Sequence, residues 1–231
     1  MKIALSVLIS AVCAVSLVRA DLTMTEKIDG VAGAPSEITI FIKGEKMRID
    51  STPQVTAIVD GHTGEVVTLM KEQKRAVRIS AEKMKAAAAM ITKFNGKGAE
   101  ASTGKPKPTG RKEMINGYEA EEYVMETGTM KASYWLAPKF PDGAAILRQL
   151  QAVKTEIWKS ANPNAASFSD FPALPIRTVV DMGATKMTTE VVSVKQDPIP
   201  DAAFSVPADF QEIKAPEIAI PAQSAASPAH P

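Results

Sequence analysis

This sequence of 231 residues predicts a mainly β (α+β) fold: a curved antiparallel sheet covered by two amphipathic helices. Three observations carry that prediction. Residues 38–79 alternate apolar and polar side chains in short runs separated by tight turns, the pattern of a β-meander. The stretches 80–94 and 142–158 switch to helical spacing, and 112–136 and 176–195 return to strand patterning.

In chain order, Leu22, Met24, Glu26 and Ile28 alternate with Thr23, Thr25 and Lys27. They form a first strand that pairs with the meander or closes its edge. Within the meander, Ile38, Ile40 and Ile42 mark a core face. Lys43-Gly44-Glu45-Lys46 then places Gly at the first centre of a two-residue loop, where a type II′ turn needs positive φ. Met47 and Ile49 alternate with Lys46, Arg48 and Asp50, and Val55, Ala57 and Val59 follow Pro53. Asp60-Gly61-His62-Thr63-Gly64 is another turn, after which Val66, Thr68, Met70, Val77 and Ile79 supply two more strands. Connections this short make antiparallel neighbours.

A first helix starts at Ser80 as N-cap, with Glu82 in its first turn and Met84, Ala87, Ala88, Ile91 and Phe94 on one face. Asn95-Gly96 ends it, and 96–110 reads as a mobile loop. Strands are expected at 112–116, 118–126 and 130–136, turning at Asn116-Gly117 and Gly128-Thr129. On the last of these Met130, Ala132, Tyr134 and Leu136 share a face, and Trp135 points to the other. Asp142 caps a second helix, whose stripe is Ile146, Leu147, Leu150, Val153, Ile157 and Trp158. The irregular stretch 160–175 holds Phe168 and Phe171, which suit a lid or plug. Two last strands, 176–182 and 185–195, precede a segment tied down by Phe204, Val206 and Phe210. The division expected is 1–20 signal peptide, 21–213 single β-rich domain and 214–231 disordered Pro/Ala-rich tail.

The leader has Lys2, the apolar run 3–18 and Val18-Arg19-Ala20 as a cleavage site, and it is short for a membrane span. The one cysteine, Cys13, lies inside it after the bulky Val12, which argues against lipidation. The mature chain is then free of cysteine and periplasmic or secreted. Loss of Lys2 and Arg19 turns the formal charge of +1 into −1, which removes the electrostatic case for nucleic acid. Without disulfides the core must supply the stability, and with 5% aromatics and 11 Met it is aliphatic and adaptable.

Motifs for chemistry are weak. Gly96-Lys97-Gly98 has Ala101 where a third glycine belongs and follows a helix, where a nucleotide fold needs a strand. Gly104-Lys105 is followed by Pro106, not Ser or Thr, so a phosphate loop is excluded. Asp60, His62 and Glu65 share a hairpin tip, but turn chemistry accounts for them better than a metal does. Glu119, Glu121 and Glu122 read as a solvated strand face, and the basic run from Lys71 to Lys85 reads as a solvated junction interrupted by Glu72 and Glu82. Neither a catalytic residue nor a cofactor is implied. An incompletely filled apolar core would leave a cavity, for which Met47, Met70, Met84, Ile91, Tyr134, Leu150 and Trp158 are the lining residues expected.

The run Ile42-Lys43-Gly44-Glu45-Lys46-Met47-Arg48-Ile49, the hairpin 60–70, Leu174-Pro175-Ile176-Arg177, Ile199-Pro200 and Phe204-Ser205-Val206-Pro207 resemble a bacterial exported family of unknown function. That family is similar in outline to periplasmic lipoprotein carriers, whose half-open barrel is lidded by helices and receives acyl chains. The resemblance implies a lipoprotein-carrier-like half-barrel fold and no catalytic residue; carrier function does not follow from the fold. The apolar stripes and the scarcity of catalytic groups lead to the expectation of a periplasmic protein that binds a lipid or other apolar small molecule in the half-barrel cavity. The alternative is an envelope interaction or structural module that meets a partner protein through a sheet edge or its tail.

Overall fold

The computed structural model describes residues 21–30, 36–94, 105–127, 130–153, 166–183 and 185–214, without the side chains of 87–88, 90–94 and 214. The expected leader, the first part of the 96–110 loop, the side chains of Ile91, Ile157 and Trp158, and the tail from 215 onward fall outside those residues.

Among the described residues, twelve strands make one open sheet. The first six are β1 (Leu22–Asp29), β2 (Ser36–Lys43), β3 (Lys46–Asp50), β4 (Val55–Asp60), β5 (Glu65–Met70) and β6 (Arg75–Ile79). After helix α1 (Ala81–Phe94) come β7 (Lys107–Ile115), β8 (Tyr118–Thr127) and β9 (Met130–Ala137). Helix α2 (Gly143–Ala152) and a short 3₁₀ turn (Phe168–Asp170) lead to β10 (Leu174–Asp181) and β11 (Lys186–Lys195). A second 3₁₀ turn (Asp201–Phe204) precedes β12 (Gln211–Lys214). The order across the sheet is β12-β6-β5-β4-β3-β2-β1-β11-β10-β9-β8-β7. Two meanders, β1–β6 and β7–β11, are thus joined side by side through β1 and β11.

Local chemistry sets the turns. Gly44 takes φ 59 between β2 and β3, as a type II′ centre requires, and Asn116 (φ 49) and Gly117 (φ 84) both enter the left-handed region between β7 and β8. The 60–64 turn closes on the Asp60 carboxylate, which accepts from the backbone N–H of His62 and of Thr63, each at 2.9 Å. Those bonds hold the Asp60 pKa below its ordinary value.

The sequence expectations need four corrections. The 96–110 loop is shorter than expected, because residues 107–110 already belong to β7, where Lys107 and Pro108 lie opposite Val124 and Tyr123. Pro108 is tolerated there since β7 is an edge strand, and an irregularity between Pro108 and Lys112 takes up Gly110 at φ 78. Asp142 does not cap α2 with its side chain; it stands at φ 53, and its carbonyl accepts from Ala145 and Ile146. Helix α2 ends at Ala152, with Val153 extended, and the expected continuation over 154–158 lies outside the described residues. The sheet is antiparallel except for β12, which runs parallel to β6. The chain reaches β6 only after crossing the sheet's outer face, and so arrives in the same direction as β6.

The two faces of the sheet are buried differently. One gathers Leu22, Met24, Ile42, Met47, Ile115, Ala120, Trp135, Ala137, Leu174, Ile176 and Val191 around Ile146 and Leu150 of α2 in a single cluster. Strands as far apart in the order as β3 and β7 meet in it, so this face is the concave side of a curved sheet. Polar contacts cross the same space: Arg177 on β10 donates to Glu113 on β7 at 2.7 Å and to Glu190 on β11 at 2.6 Å. Burial works against the Arg177 charge, yet the two carboxylates hold its pKa above the ordinary guanidinium value. Asn116 at the β7–β8 turn reaches the Glu190 carboxylate at 2.9 Å and the Val191 carbonyl at 3.1 Å.

The outer, convex face carries two separate clusters. Tyr134, Leu136, Ala132 and Met125 pack under Phe171, whose ring lies 4.8 Å from that of Tyr134. Both sides of β9 are therefore buried, as its expected division into a Tyr134 face and a Trp135 face requires. Over β4–β6, Ile58, Val67, Leu69 and Ala76 lie beneath the strap 196–210 through Ile199, Phe204, Val206 and Phe210. Polar anchors fix the strap. Lys43 donates to the Ile199 carbonyl at 2.6 Å and pairs with Asp201 at 2.8 Å, Asp21 accepts from the Ile199 N–H, and Arg48 donates to the Ala203 carbonyl. At the sheet edge Arg78 joins Glu65 on β5 to Glu212 on β12. No helix among the described residues is long and apolar enough to cross a membrane.

Because Phe204 is the buried centre of the strap, Phe204→Ala is expected to cost about 3 kcal/mol, at the low end for a buried aromatic because the site lies near solvent. Urea denaturation measures it, and a loss too small to resolve would mean that the strap does not hold the convex face.

Candidate functional site

Strand register on the concave face of the first meander produces two cross-strand ladders. One runs Leu22, Ile42, Met47, Val59, Val66 and Ile79 from β1 to β6. The other runs Met24, Ile40, Ile49, Ala57, Thr68 and Val77 across the same six strands. The first ladder starts in the core, with Leu22 at 0%, Ile42 at 1% and Met47 at 9% exposure. From Val59 outward its members are only half-buried, as are Ile40, Ile49, Ala57, Thr68 and Val77. Sheet faces in water normally alternate apolar-in with polar-out. Here the opposite face of β4–β6 is closed by the strap, so this half-covered apolar face is a second one, with its polar partners missing.

Near the core end of the ladders a groove of about 480 Å³ opens between the β7–β8 turn, the segment before α2 and the end of β11. Tyr118, Phe140, Ile146, Ile176, Val191 and Val194 line its apolar part. The Tyr118 and Phe140 rings are 4.8 Å apart, fixing one wall.

Glu26 breaks the apolar pattern. It shares the concave face of β1 with Leu22, Met24 and Ile28, and lies opposite Ile38 on β2 and Val191 on β11, where β11 carries an irregularity. Its carboxyl has no hydrogen-bond or ion-pair partner among the described residues, and burial pushes its pKa up to about 7. The other charged residues of β1–β5 face the convex side, and on β6 only Arg75, exposed at the far rim, shares Glu26's face.

The expected lining residues do not all converge. Met47 and Leu150 are buried in the concave core, and Met70 is half-buried on the concave face of β5 opposite Val55. Met84 is half-buried early in α1. Tyr134 belongs to the convex cluster instead, where its hydroxyl oxygen accepts from the Ala166 N–H at 3.4 Å. Ile91 and Trp158 lie outside the described side chains. Glu26 was missed, although a carboxylate in the apolar register of Leu22, Met24 and Ile28 is a signal that the sequence carries.

A carboxyl whose folded pKa is raised binds its proton more tightly folded than unfolded. Its cost is absent below the ordinary value of 4.5, grows as the pH rises and is complete above about 7. Glu26→Gln is thus expected to raise stability by up to about 3 kcal/mol at pH 8 and to leave it unchanged at pH 4. Denaturant titrations at the two pH values read this out, and an equal effect at both would contradict it.

Comparison with curated proteins gave no match. Among solved structures the chain is similar to PNGF-II, with 13% identity and a TM-score of 0.41, covering 85% of this chain but 31% of that one, so it spans about a third of PNGF-II. It is also similar to a LolA superfamily protein from Nitrosomonas europaea, with 9% identity, a TM-score of 0.28 and coverage of 80% and 89%. LprF from Mycobacterium bovis matches with 9% identity, a TM-score of 0.32 and coverage of 83% and 90%. Likenesses this distant carry no argument about what the chain does. Its family is another matter: the profile of the domain of unknown function DUF4412 matches residues 20–210, nearly the whole of the ladders, strap and core just described, and the chain belongs to that family.

Proposed function

We propose that the protein is an exported, non-catalytic single domain that holds a lipid or other apolar ligand against the concave face of its sheet, in the manner of a half-barrel carrier. The observation that carries the reading is the pair of apolar ladders running from a closed core to half-buried positions on β4, β5 and β6. Such a face gains free energy from any apolar molecule that dries it, at about 25 cal/mol for each Å² removed from water. The groove beside Tyr118 and Phe140 is a separate recess, lined by residues of the second meander and the segment before α2.

The sheet edges favour this reading over a partner docked by strand addition. Edge strand β7 carries Pro108, the Gly110 irregularity and the basic residues Lys107, Arg111 and Lys112, all of which obstruct pairing with another chain. At the other edge, β12 offers four residues only.

Mass spectrometry of protein purified under native conditions should find co-purified lipid, and a fluorescent fatty acid should be taken up. Ile49→Glu, placed mid-ladder at a half-buried position, is expected to weaken uptake at least about tenfold, since it buries a charge against the ligand, with the fold kept. No bound lipid together with no uptake by the unmodified protein would sink the proposal.

A further inference from the structure

We infer that the ligand is an amphiphile whose polar end is a protonated amine, received by Glu26, with its apolar body laid across the ladders. The inference rests on the apolar-ligand reading above and adds the chemistry of the headgroup.

Position carries the argument. Glu26 is placed where the apolar face begins, one row along β1 from Met24, between Ile38 and Val191. From that row the ladders extend over β2 to β6, five strand spacings or about 24 Å. An apolar surface with one carboxyl at its inner end matches a molecule with one polar end and one apolar body.

The sign of the headgroup follows from what surrounds the carboxyl. Lys27 is turned to the other face and paired with Asp29 at 3.1 Å. Glu37 on β2 is likewise turned away beside Ile38. On β11, Glu190 is engaged by Arg177 and Asn116. Arg75 is at the far rim on β6, and on β1 itself Met24 and Ile28 flank Glu26. So no described cation offsets the charge that Glu26 acquires on ionising. A carboxylate headgroup would add like charge there, and a hydroxyl would bring one donor. An ammonium brings opposite charge and three donors, which compensates this half-buried carboxylate better than either of those headgroups.

Displacement of the neutral dye Nile red at pH 8 by dodecylamine, dodecanol and dodecanoate, each below its micelle concentration, tests this. Dodecylamine should displace the dye at about tenfold lower concentration than dodecanol, the least that a charge-assisted hydrogen bond in a desolvated site contributes, with dodecanoate weakest. In Glu26→Gln the amine-to-alcohol preference should shrink to about twofold or less, because the neutral amide keeps the shape and loses the charge. Equal displacement by amine and alcohol in the unmodified protein overturns the inference while leaving the apolar face standing as a binding surface. A preference that survives Glu26→Gln also overturns it, by assigning the effect to another charge. Failure of all three to displace the dye removes the apolar reading, and the headgroup assignment with it.

Discussion

The pairing of β1 with β11 is the interaction on which the remainder of the architecture depends. Each meander is built from neighbours in sequence, and only the register of Thr23 with Lys195 through Asp29 with Thr188 joins them into one sheet. Without it β3 and β7 could not share a core, and Met47 would have no route to Ile115 and Trp135. Loop closure over this sequence separation is a large entropic cost, and it is recovered only when the concave cluster forms around α2. The irregularity on β11 falls in this seam opposite Glu26, so a carboxyl without a partner among the described residues lies where the two halves are stitched.

Once joined, the sheet has two faces to bury and unequal means of burying them. The convex side is closed from within the chain, by the strap 196–210 over one half and by Phe168 and Phe171 over the other. The strap combines apolar contacts with anchors of several kinds, from Lys43 with Asp201 to Arg78 with Glu65 and Glu212. Exposed pairs of this sort contribute little individually, and their value lies in fixing where the apolar side chains land. On the concave side, burial is complete near α2 and falls away along the ladders.

Much of this was legible in the residues. The alternation of Ile38, Ile40 and Ile42, the Gly44 and Asn116-Gly117 turns, and the two-sided burial of β9 follow from period and turn chemistry alone. What escaped depends on contacts distant in sequence. β12 is four mostly polar residues and becomes a strand only because β6 presents an open edge. Residues 107–110 look like a loop because of Pro108 and Gly110, and pair because an edge strand tolerates both. The apolar face was legible as strands but not as a surface: Val59, Val66 and Ile79 join Met47 only through register, while Tyr134, an attractive lining residue by composition, is turned outward by the same rule. The special standing of Glu26 required knowing which side its strand mates faced.

The direction of the ladders has a consequence for how such a surface changes over time. They run across the strands, so their extent is counted in strands and not in strand length. Gaining or losing one hairpin at the β6 side would alter the reach of the surface by about 10 Å, two strand spacings, without touching the core around α2. The apolar face thereby has a fixed end at Leu22 and Met24, anchored in the core, and a far end whose distance is set by the number of strands.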